Sequence, residues 1–167
     1  SIKPGITTLE LDKKAEDFII SKNALPGFKG LYGYPATICI SIDDEVVHGL
    51  PSDRELKDGQ IVSVDVGSIY EDFYGDHAKT FIVGSTSEEK RKLVENTKKC
   101  LEKGIEQVKT GNTIGDIGYA IQSALDHLKK PEIVIVDNNS TDKTLEIVKF
   151  FAENPNLNNE ADNYSKI

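Results

Sequence analysis

Two aspartates on either side of a short predicted turn are the residues in this sequence best placed to do chemistry. Asp65 lies in the apolar run Val62–Gly67, and Asp76 lies in Tyr74–Thr80. A buried carboxylate without a partner is unfavourable, so Asp65 requires a nearby cation. If the two runs pair as antiparallel strands, the carboxylates converge and offer hard oxygen ligands to Mn, Fe, Co or Zn. The alternative is that these acidic residues face water or pair with Lys79.

The elements that must position these residues follow from capping patterns and β-branched runs. The capping pattern Thr7/Glu10 predicts a helix at about Leu9–Lys22. The pattern Thr86/Glu89 predicts a second helix that ends at about Val108, and Thr113 predicts the start of a third that ends at Lys130. Strands are predicted at Thr37–Ile42, Ile61–Ile69 and Tyr74–Val83. The last two form an antiparallel hairpin with its turn at Glu71 and Asp72. The Gly- and Pro-rich stretch Ala24–Pro35 is predicted to be a loop.

The sequence changes in character after Pro131. Glu132–Val136 has the continuous apolar pattern of a buried strand, and Thr141–Glu153 has the pattern of an amphipathic helix. From Asn154 onward the chain is rich in Asn, Asp and Glu, and we expect disorder there because little apolar surface is available to offset the entropy of ordering.

Composition narrows the classes of function. A chain of 167 residues holds one domain, or one domain and a fragment. Its formal charge of −8 argues against a nucleic-acid partner, which requires clustered Lys and Arg. No apolar run is long enough to suggest a membrane partner, and the absence of Met at position 1 suggests a trimmed amino terminus. Cys39 and Cys100 are too far apart for a CxxC motif, so we expect reduced, buried thiols and a cytoplasmic location.

Several long blocks between Ile2 and Leu125 resemble type I methionine aminopeptidases. They are KPGITTLELD, GFKGLYGYPATICIS, DEVVHGLPSD, LKDGQIVSVDVG, GDHAKTFIVG and GNTIGDIGYAIQ, in the family's order. The resemblance implies an α+β fold, namely half of a pita-bread fold, here with an appended β–α unit. It also implies metal-assisted hydrolysis, in which two divalent ions activate water for attack on the first peptide carbonyl of a peptide or nascent-protein N-terminus.

The same resemblance assigns roles to five residues. Asp65 and Asp76 match two metal ligands, and His48 matches the catalytic, substrate-contacting histidine that stabilises charge near the scissile bond. Phe28 and Tyr34 match positions that line the pocket for the methionine side chain, although ordinary core packing is an alternative role for both. A lone histidine such as His48 would otherwise be interpreted as structural or surface.

The resemblance also predicts what the chain lacks. The family's other metal ligands are one histidine in a GHGIG-like segment and two glutamates, and none of these motifs occurs here. Because catalytic metals generally keep about three protein ligands, we expect this chain to be crippled or inactive as an enzyme. The alternative is a non-catalytic structural or engineered segment, and a homodimer is expected to cover the apolar face left by the missing half.

A second, shorter resemblance covers Pro131 to Ala152. The run PEIVIVDNNSTDKTLEIVKFF is similar to a β–α unit of family-two, nucleotide-sugar-dependent glycosyltransferases, in which Asp137 would contact the nucleotide base. The competing interpretation is a strand and helix that cover a sheet edge. We therefore expect a chimera with three parts: an aminopeptidase-like half domain at residues 1–128, a glycosyltransferase-like unit at 129–153 and a disordered tail at 154–167.

Overall fold

The structure, a computed structural model, describes residues 2–127, which belong to one compact unit. It has the predicted mixture of helices and an antiparallel sheet. The helices are α1 (Thr8–Ser21), α2 (Glu88–Ile105) and α3 (Ile114–His127), and the strands are β1 (Leu25–Pro26), β2 (Ile38–Ile42), β3 (Ile61–Tyr70) and β4 (Phe73–Ile82). Within the described part of the chain, no helix is long and apolar enough to cross a membrane.

The first helix begins at the predicted capping box. The Thr7 hydroxyl accepts a hydrogen bond from the Glu10 N–H at 3.1 Å, and the Glu10 carboxylate accepts one from the Thr7 N–H at 2.9 Å. These two bonds satisfy donors that have no partner within the helix. Leu11 and Ile19 on its buried face then anchor the helix to the rest of the fold.

Strand β3 is the centre of the four-stranded sheet. One of its edges pairs with β2 over Val62–Val66 and with β1 at Ser68 and Ile69, and the other pairs with β4 along its whole length. The sheet therefore holds β3 on both sides, and every ladder is antiparallel.

The β3–β4 hairpin confirms the predicted turn. Tyr70 pairs with Phe73, so the connection consists of Glu71 and Asp72 alone, and both have positive φ angles, 48° and 66°. Two positive φ values in a two-residue connection define a turn whose twist matches that of the flanking strands. This turn sets the register of the whole hairpin.

A compact apolar cluster lies on one side of the sheet. Ile38, Ile40, Ile42 and Val62 are each 1% exposed or less and pack with Leu11 of α1. Burying one such side chain contributes roughly 1.5–3 kcal/mol relative to leaving it in water. This cluster makes β2 and β3 a rigid platform for the side chains on the opposite face.

Two local predictions are corrected by the structure. Ala24–Pro35 is not wholly irregular, because Leu25–Pro26 pairs with β3 and Leu31–Gly33 forms a short 3₁₀ helix. The cap of α2 is Ser87, whose hydroxyl accepts from the Lys90 N–H at 3.2 Å, and not Thr86. The Thr86 hydroxyl instead donates to the Gly59 carbonyl at 2.8 Å.

The predicted strand Glu132–Val136, the helix Thr141–Glu153, the tail and Asp137 lie outside the described residues. The predicted end of the third helix at Lys130 also lies there.

Candidate metal and substrate site

Asp65 and Asp76 lie on the same face of the β3–β4 hairpin. Asp76 is directly across from Gly67, two residues along β3 from Asp65, so the carboxylates are diagonal neighbours. Diagonal side chains on one face are close enough to interact. The sequence predicted that the hairpin brings the two carboxylates together, and in the observed register both lie on one face.

The electrostatics of Asp65 differ from those of an ordinary surface carboxylate. Its Oδ1 atom is buried and has no hydrogen-bond partner among the described residues. Burial raises the pKa of the Asp65 carboxyl, and the neighbouring Asp76 carboxylate raises it further. The pair therefore disfavours two negative charges at once, which is the arrangement that a divalent cation relieves.

His48 lies close enough to this pair to act on it. Its positive charge, when protonated, lowers the pKa of Asp65, opposing the effect of Asp76. The residue is exposed and has a positive φ of 59°, an uncommon conformation for a residue with a side chain. Strain of this kind is found where a side chain is held in position for function.

The backbone beside His48 explains how that conformation is held. The Ile40 N–H donates to the Gly49 carbonyl at 2.8 Å, and the Gly49 N–H donates to the Ser41 hydroxyl at 3.2 Å. A Cβ on Gly49 would lie 2.0 Å from the Ile40 carbonyl oxygen, so only glycine allows this approach. The segment is thereby fixed against β2.

A cavity of about 630 Å³ opens next to the carboxylates. Its lining includes all five residues that the resemblance assigned: Phe28, Tyr34, His48, Asp65 and Asp76. Most of the remaining lining is apolar or aromatic, including Leu31, Tyr32, Cys39 and Leu50. An apolar pocket with a few converging polar groups is the usual form of a small-ligand site.

Phe28 forms one wall of this cavity by packing against the backbone of β3. A Cβ built on Gly67 would lie 2.5 Å from Cε1 of the Phe28 ring, so the ring occupies the space that a side chain would fill. The adjoining Gly27 N–H donates to the Gly67 carbonyl at 2.8 Å, which holds the Phe28 segment against the strand. Phe28 is therefore positioned by the same strand that carries Asp65.

Tyr34 is fixed by its hydroxyl group. That group donates a hydrogen bond to the Ile38 carbonyl at 2.9 Å. Burial, followed by hydrogen bonding to Cys39 and nearby negative charge, raises the pKa of Tyr34, which keeps the phenol neutral. A neutral, anchored ring offers the cavity an apolar face.

Two features of the site were missed in the sequence. Gly67 was quoted only as part of a motif, yet it decides where Phe28 packs. Cys39 was interpreted only as a buried thiol, and it is buried and free, but it also pairs with Asp65 and lines the cavity. Pairing β2 with β3 is the step that could have revealed this, because it puts Cys39 opposite Asp65.

The donor atoms fit part of a metal site. Asp65 and Asp76 provide oxygen atoms of the kind suited to a divalent ion, and Asp65 Oδ1 has no hydrogen-bond partner among the described residues. Within residues 2–127, no group of three His, Cys, Asp or Glu side chains is arranged to hold a metal ion. The described site thus fits two ligands of a larger set.

An antiparallel sheet that carries two aspartates beside an apolar cavity is the arrangement that the resemblance predicts for half of a metallopeptidase site. Comparison with known families agrees, since the model of metallopeptidase family M24 matches residues 1–149. This chain belongs to metallopeptidase family M24.

Methionine aminopeptidases are prominent among its relatives. The enzyme of Clostridium acetobutylicum is 51% identical over 121 residues, which cover 72% of this chain and 48% of that protein. The enzyme of Rickettsia prowazekii is 36% identical, over 99% of this chain and 70% of that protein. The crystal structure of the Rickettsia enzyme superposes with a TM-score of 0.74 and 41% identity, over 76% of this chain and 51% of that one. The fold is therefore of the pita-bread type, as predicted.

The chain spans about half the length of several curated relatives that it matches. The M24 match continues to residue 149 and includes most of the segment that resembles a glycosyltransferase. The glycosyltransferase resemblance and the role of Asp137 stay predictions.

Proposed function

We propose that this chain carries the Asp65–Asp76 half of the metal site and the methionine pocket of a methionine aminopeptidase. The observation that carries the proposal is the diagonal pairing of Asp65 with Asp76 beside the apolar cavity. A relative that is 51% identical to this chain over 121 residues is a methionine aminopeptidase, which supports the choice of substrate class.

The two carboxylates would hold a divalent ion, with Co, Mn, Fe and Zn all compatible with oxygen ligands. When bound, such an ion supplies an activated water and polarises a carbonyl group. The buried Asp65 Oδ1 and its raised pKa support this role, because the cation would replace the missing partner. Asp76 lies at the more exposed side of the pair.

His48 would act as a hydrogen-bond donor to the substrate near the scissile carbonyl. Its exposure leaves the imidazole free to meet a ligand, and its neighbouring backbone is fixed by Gly49. A fixed donor stabilises developing negative charge without reorganising during the reaction.

Phe28 and Tyr34 would receive the methionine side chain of a peptide or nascent-protein N-terminus. Both side chains line the cavity. Phe28 packs against β3, and the Tyr34 hydroxyl is hydrogen-bonded to β2. Aromatic rings make favourable contacts with a thioether, which supports methionine over a shorter aliphatic residue. Leu31 also lines the cavity and is 54% exposed, so a substitution at this position would change the shape of the pocket.

We further propose that the 167-residue chain by itself has no measurable turnover. The support is the ligand count, since only two oxygen ligands converge among residues 2–127. Two ligands leave an ion weakly held compared with about three at catalytic sites. The alternative is a non-catalytic structural or engineered chimeric segment, in which the metal site is incomplete.

Calorimetric titration with Mn²⁺ tests the proposal without requiring catalysis. The wild-type chain should bind Mn²⁺, and Asp65→Asn or Asp76→Asn should weaken binding at least about tenfold, equivalent to about 1.4 kcal/mol. Asp72→Asn, in the turn of the same hairpin, is the matched control and should leave binding unchanged. Equal binding by all four proteins would refute the metal site.

A homodimer and a cytoplasmic location belong to the same proposal. Ile105, Val108, Ile114 and Tyr119 on or next to α2 and α3 are 59–87% exposed, which supports association through an apolar surface. Sedimentation at low micromolar concentration should detect the dimer, and a monomer with a cooperative thermal transition would exclude it. The free thiols of Cys39 and Cys100 support a reducing compartment.

A further inference from the structure

The loop between β2 and β3 carries His48, and the middle of this loop has little backbone support. Val46, Val47 and His48 are exposed and form no backbone hydrogen bond within residues 2–127. This tripeptide therefore depends for its position on the residues at its two ends, Glu45 and Gly49.

Glu45 fixes the first end through its carboxylate. Its Oε2 atom accepts a hydrogen bond from the Ile42 N–H at 2.8 Å, and its own N–H donates to the Ile42 carbonyl at 3.1 Å. Side chain and backbone thus close a tight turn where β2 ends. Ile42 is 1% exposed, and a buried N–H without a partner is unfavourable, so this bond satisfies a group that needs an acceptor.

The same carboxylate lies beside the second end of the tripeptide. A Cβ built on Gly49 would be 3.1 Å from Glu45 Oε2, and the Gly49 carbonyl accepts from the Ile40 N–H at 2.8 Å. Residues 40 and 42 are two apart on one strand, so their N–H groups point to the same side of β2. The two ends of the tripeptide are therefore held close together along one edge of β2.

A second bond orients the Glu45 carboxylate. Its Oε1 atom accepts a charge-assisted hydrogen bond from the Arg54 guanidinium. The Glu45 and Arg54 side chains are 40% and 46% exposed, so this ion pair contributes little to stability. Its effect is geometric, because a carboxylate with one oxygen on Ile42 and the other on Arg54 cannot rotate freely.

His48 is the residue whose position this arrangement controls. Its side chain lines the same cavity as Asp65 and Asp76. It has a φ of 59° although its backbone forms no hydrogen bond within residues 2–127. A residue with a side chain stays in that region only where the surrounding structure imposes it.

We propose that Glu45 is a positioning residue, whose carboxylate, bonded to Ile42 and Arg54, holds His48 beside the Asp65–Asp76 pair. The inference rests on the proposed function, in which the pair binds a metal and His48 donates to the substrate. A donor fixed in advance stabilises developing charge without reorganising, and a misplacement of about 1 Å is enough to lose much of that benefit.

Line broadening by Mn²⁺ in the proton NMR spectrum tests this proposal. The chain has only three histidines, His48, His77 and His127, so few imidazole signals need assignment. In the wild type, Mn²⁺ should broaden the signals of His48 and also those of His77, which follows Asp76 in β4 and reports that the ion is bound. In Glu45→Ala, the broadening of His48 should be lost while that of His77 persists.

Three further variants separate position from charge. Glu45→Gln keeps the side-chain length and an oxygen for the Ile42 N–H, whereas Glu45→Asp keeps the charge but is one methylene shorter. Positioning therefore predicts more His48 broadening in Glu45→Gln than in Glu45→Asp, and this comparison still decides if Glu45→Ala does not fold. Asp44→Asn removes a charge from the exposed neighbouring residue and should match the wild type.

The outcomes distinguish this inference from the metal site. Unchanged His48 broadening in folded Glu45→Ala, or more broadening in Glu45→Asp than in Glu45→Gln, would overturn the role of Glu45 and leave the metal site standing. If no histidine of the wild type is broadened, the metal site is refuted, and the role of Glu45 is refuted with it.

Discussion

Asp76 of β4 lies diagonally across the hairpin from Asp65 of β3, because the residue directly opposite Asp76 is Gly67. Gly67 has no side chain, and the Phe28 ring occupies the space that a side chain there would fill. Gly67 of β3 is therefore both the residue opposite Asp76 and the residue against which the wall of the cavity packs.

Replacing Asp65 by Asn should stabilise the metal-free protein at neutral pH. The pKa of Asp65 is raised by burial and by Asp76, so the folded state loses stability as pH rises from the ordinary carboxyl pKa through the raised value. Removing the charge should gain about 1 kcal/mol, the scale of a screened like-charge pair. Thermal melts with a chelator measure this. An unchanged or lower melting temperature at pH 7, with Asp72→Asn as control, would contradict it.

The isolated chain should hydrolyse Met-terminated peptides no faster than buffer containing Co²⁺ or Mn²⁺. The reason is the incomplete ligand set among the described residues. A chromogenic methionyl substrate provides the measurement. Turnover that disappears in Asp65→Ala would show that the chain is an active enzyme and that ligands outside residues 2–127 complete the site.

Adding a methyl group at Gly67 should disturb the cavity wall. A Cβ there would meet the Phe28 ring at 2.5 and 2.8 Å, so the ring must move, and overpacking of this kind costs about 1–3 kcal/mol. Chemical denaturation gives the change in unfolding free energy. Gly118→Ala in α3 is the matched control, because nothing lies within 4 Å of its new Cβ and alanine favours a helix by about 1 kcal/mol.

The Asp43 carboxylate should give the protein a pH-dependent stability that is distinct from that of the carboxylate pair. Burial raises the pKa of Asp43, but hydrogen bonds from Lys90 at 2.6 Å and the Ile61 N–H at 3.1 Å outweigh it, and the pKa is lowered overall. A lowered pKa contributes stability above the ordinary carboxyl pKa, and that stability is lost as pH falls through the folded value.

Asp43→Asn should therefore cost about 1 kcal/mol at pH 7 and less at acidic pH, allowing for the partly exposed ion pair. Asparagine suits the substitution because Asp43 has a positive φ of 54°, which asparagine tolerates. The exposed neighbour variant Asp44→Asn should show no such difference in urea unfolding at the two pH values. A cost that does not change with pH would assign the effect to packing alone.

Local patterns predicted the hairpin and the first helix because both are specified by nearby residues. The β-branched runs on either side of Glu71 and Asp72 fix a turn, and Thr7 with Glu10 fixes a cap. The placement of Asp65 with Asp76 on one face follows from that turn, although their roles as metal ligands stay a prediction.

Features that depend on distant partners could not be predicted in the same way. Leu25–Pro26 becomes a strand only because Ser68 and Ile69 offer an edge. Thr86 and Ser87 are both good capping residues, and the bond from Thr86 to the Gly59 carbonyl decides between them. The Phe28 ring lies on Gly67 because Gly27 is held by a backbone bond to the same residue.

The two-residue turn at Glu71 and Asp72 also limits how this region can evolve. Substitutions by residues that tolerate positive φ, such as Asn and Gly, leave the hairpin intact. Inserting or deleting one residue would shift β4 by one position and carry Asp76 to the other face of the sheet. If the aspartate pair binds a metal as proposed, the turn can change in composition, whereas a change in its length would separate the two ligands.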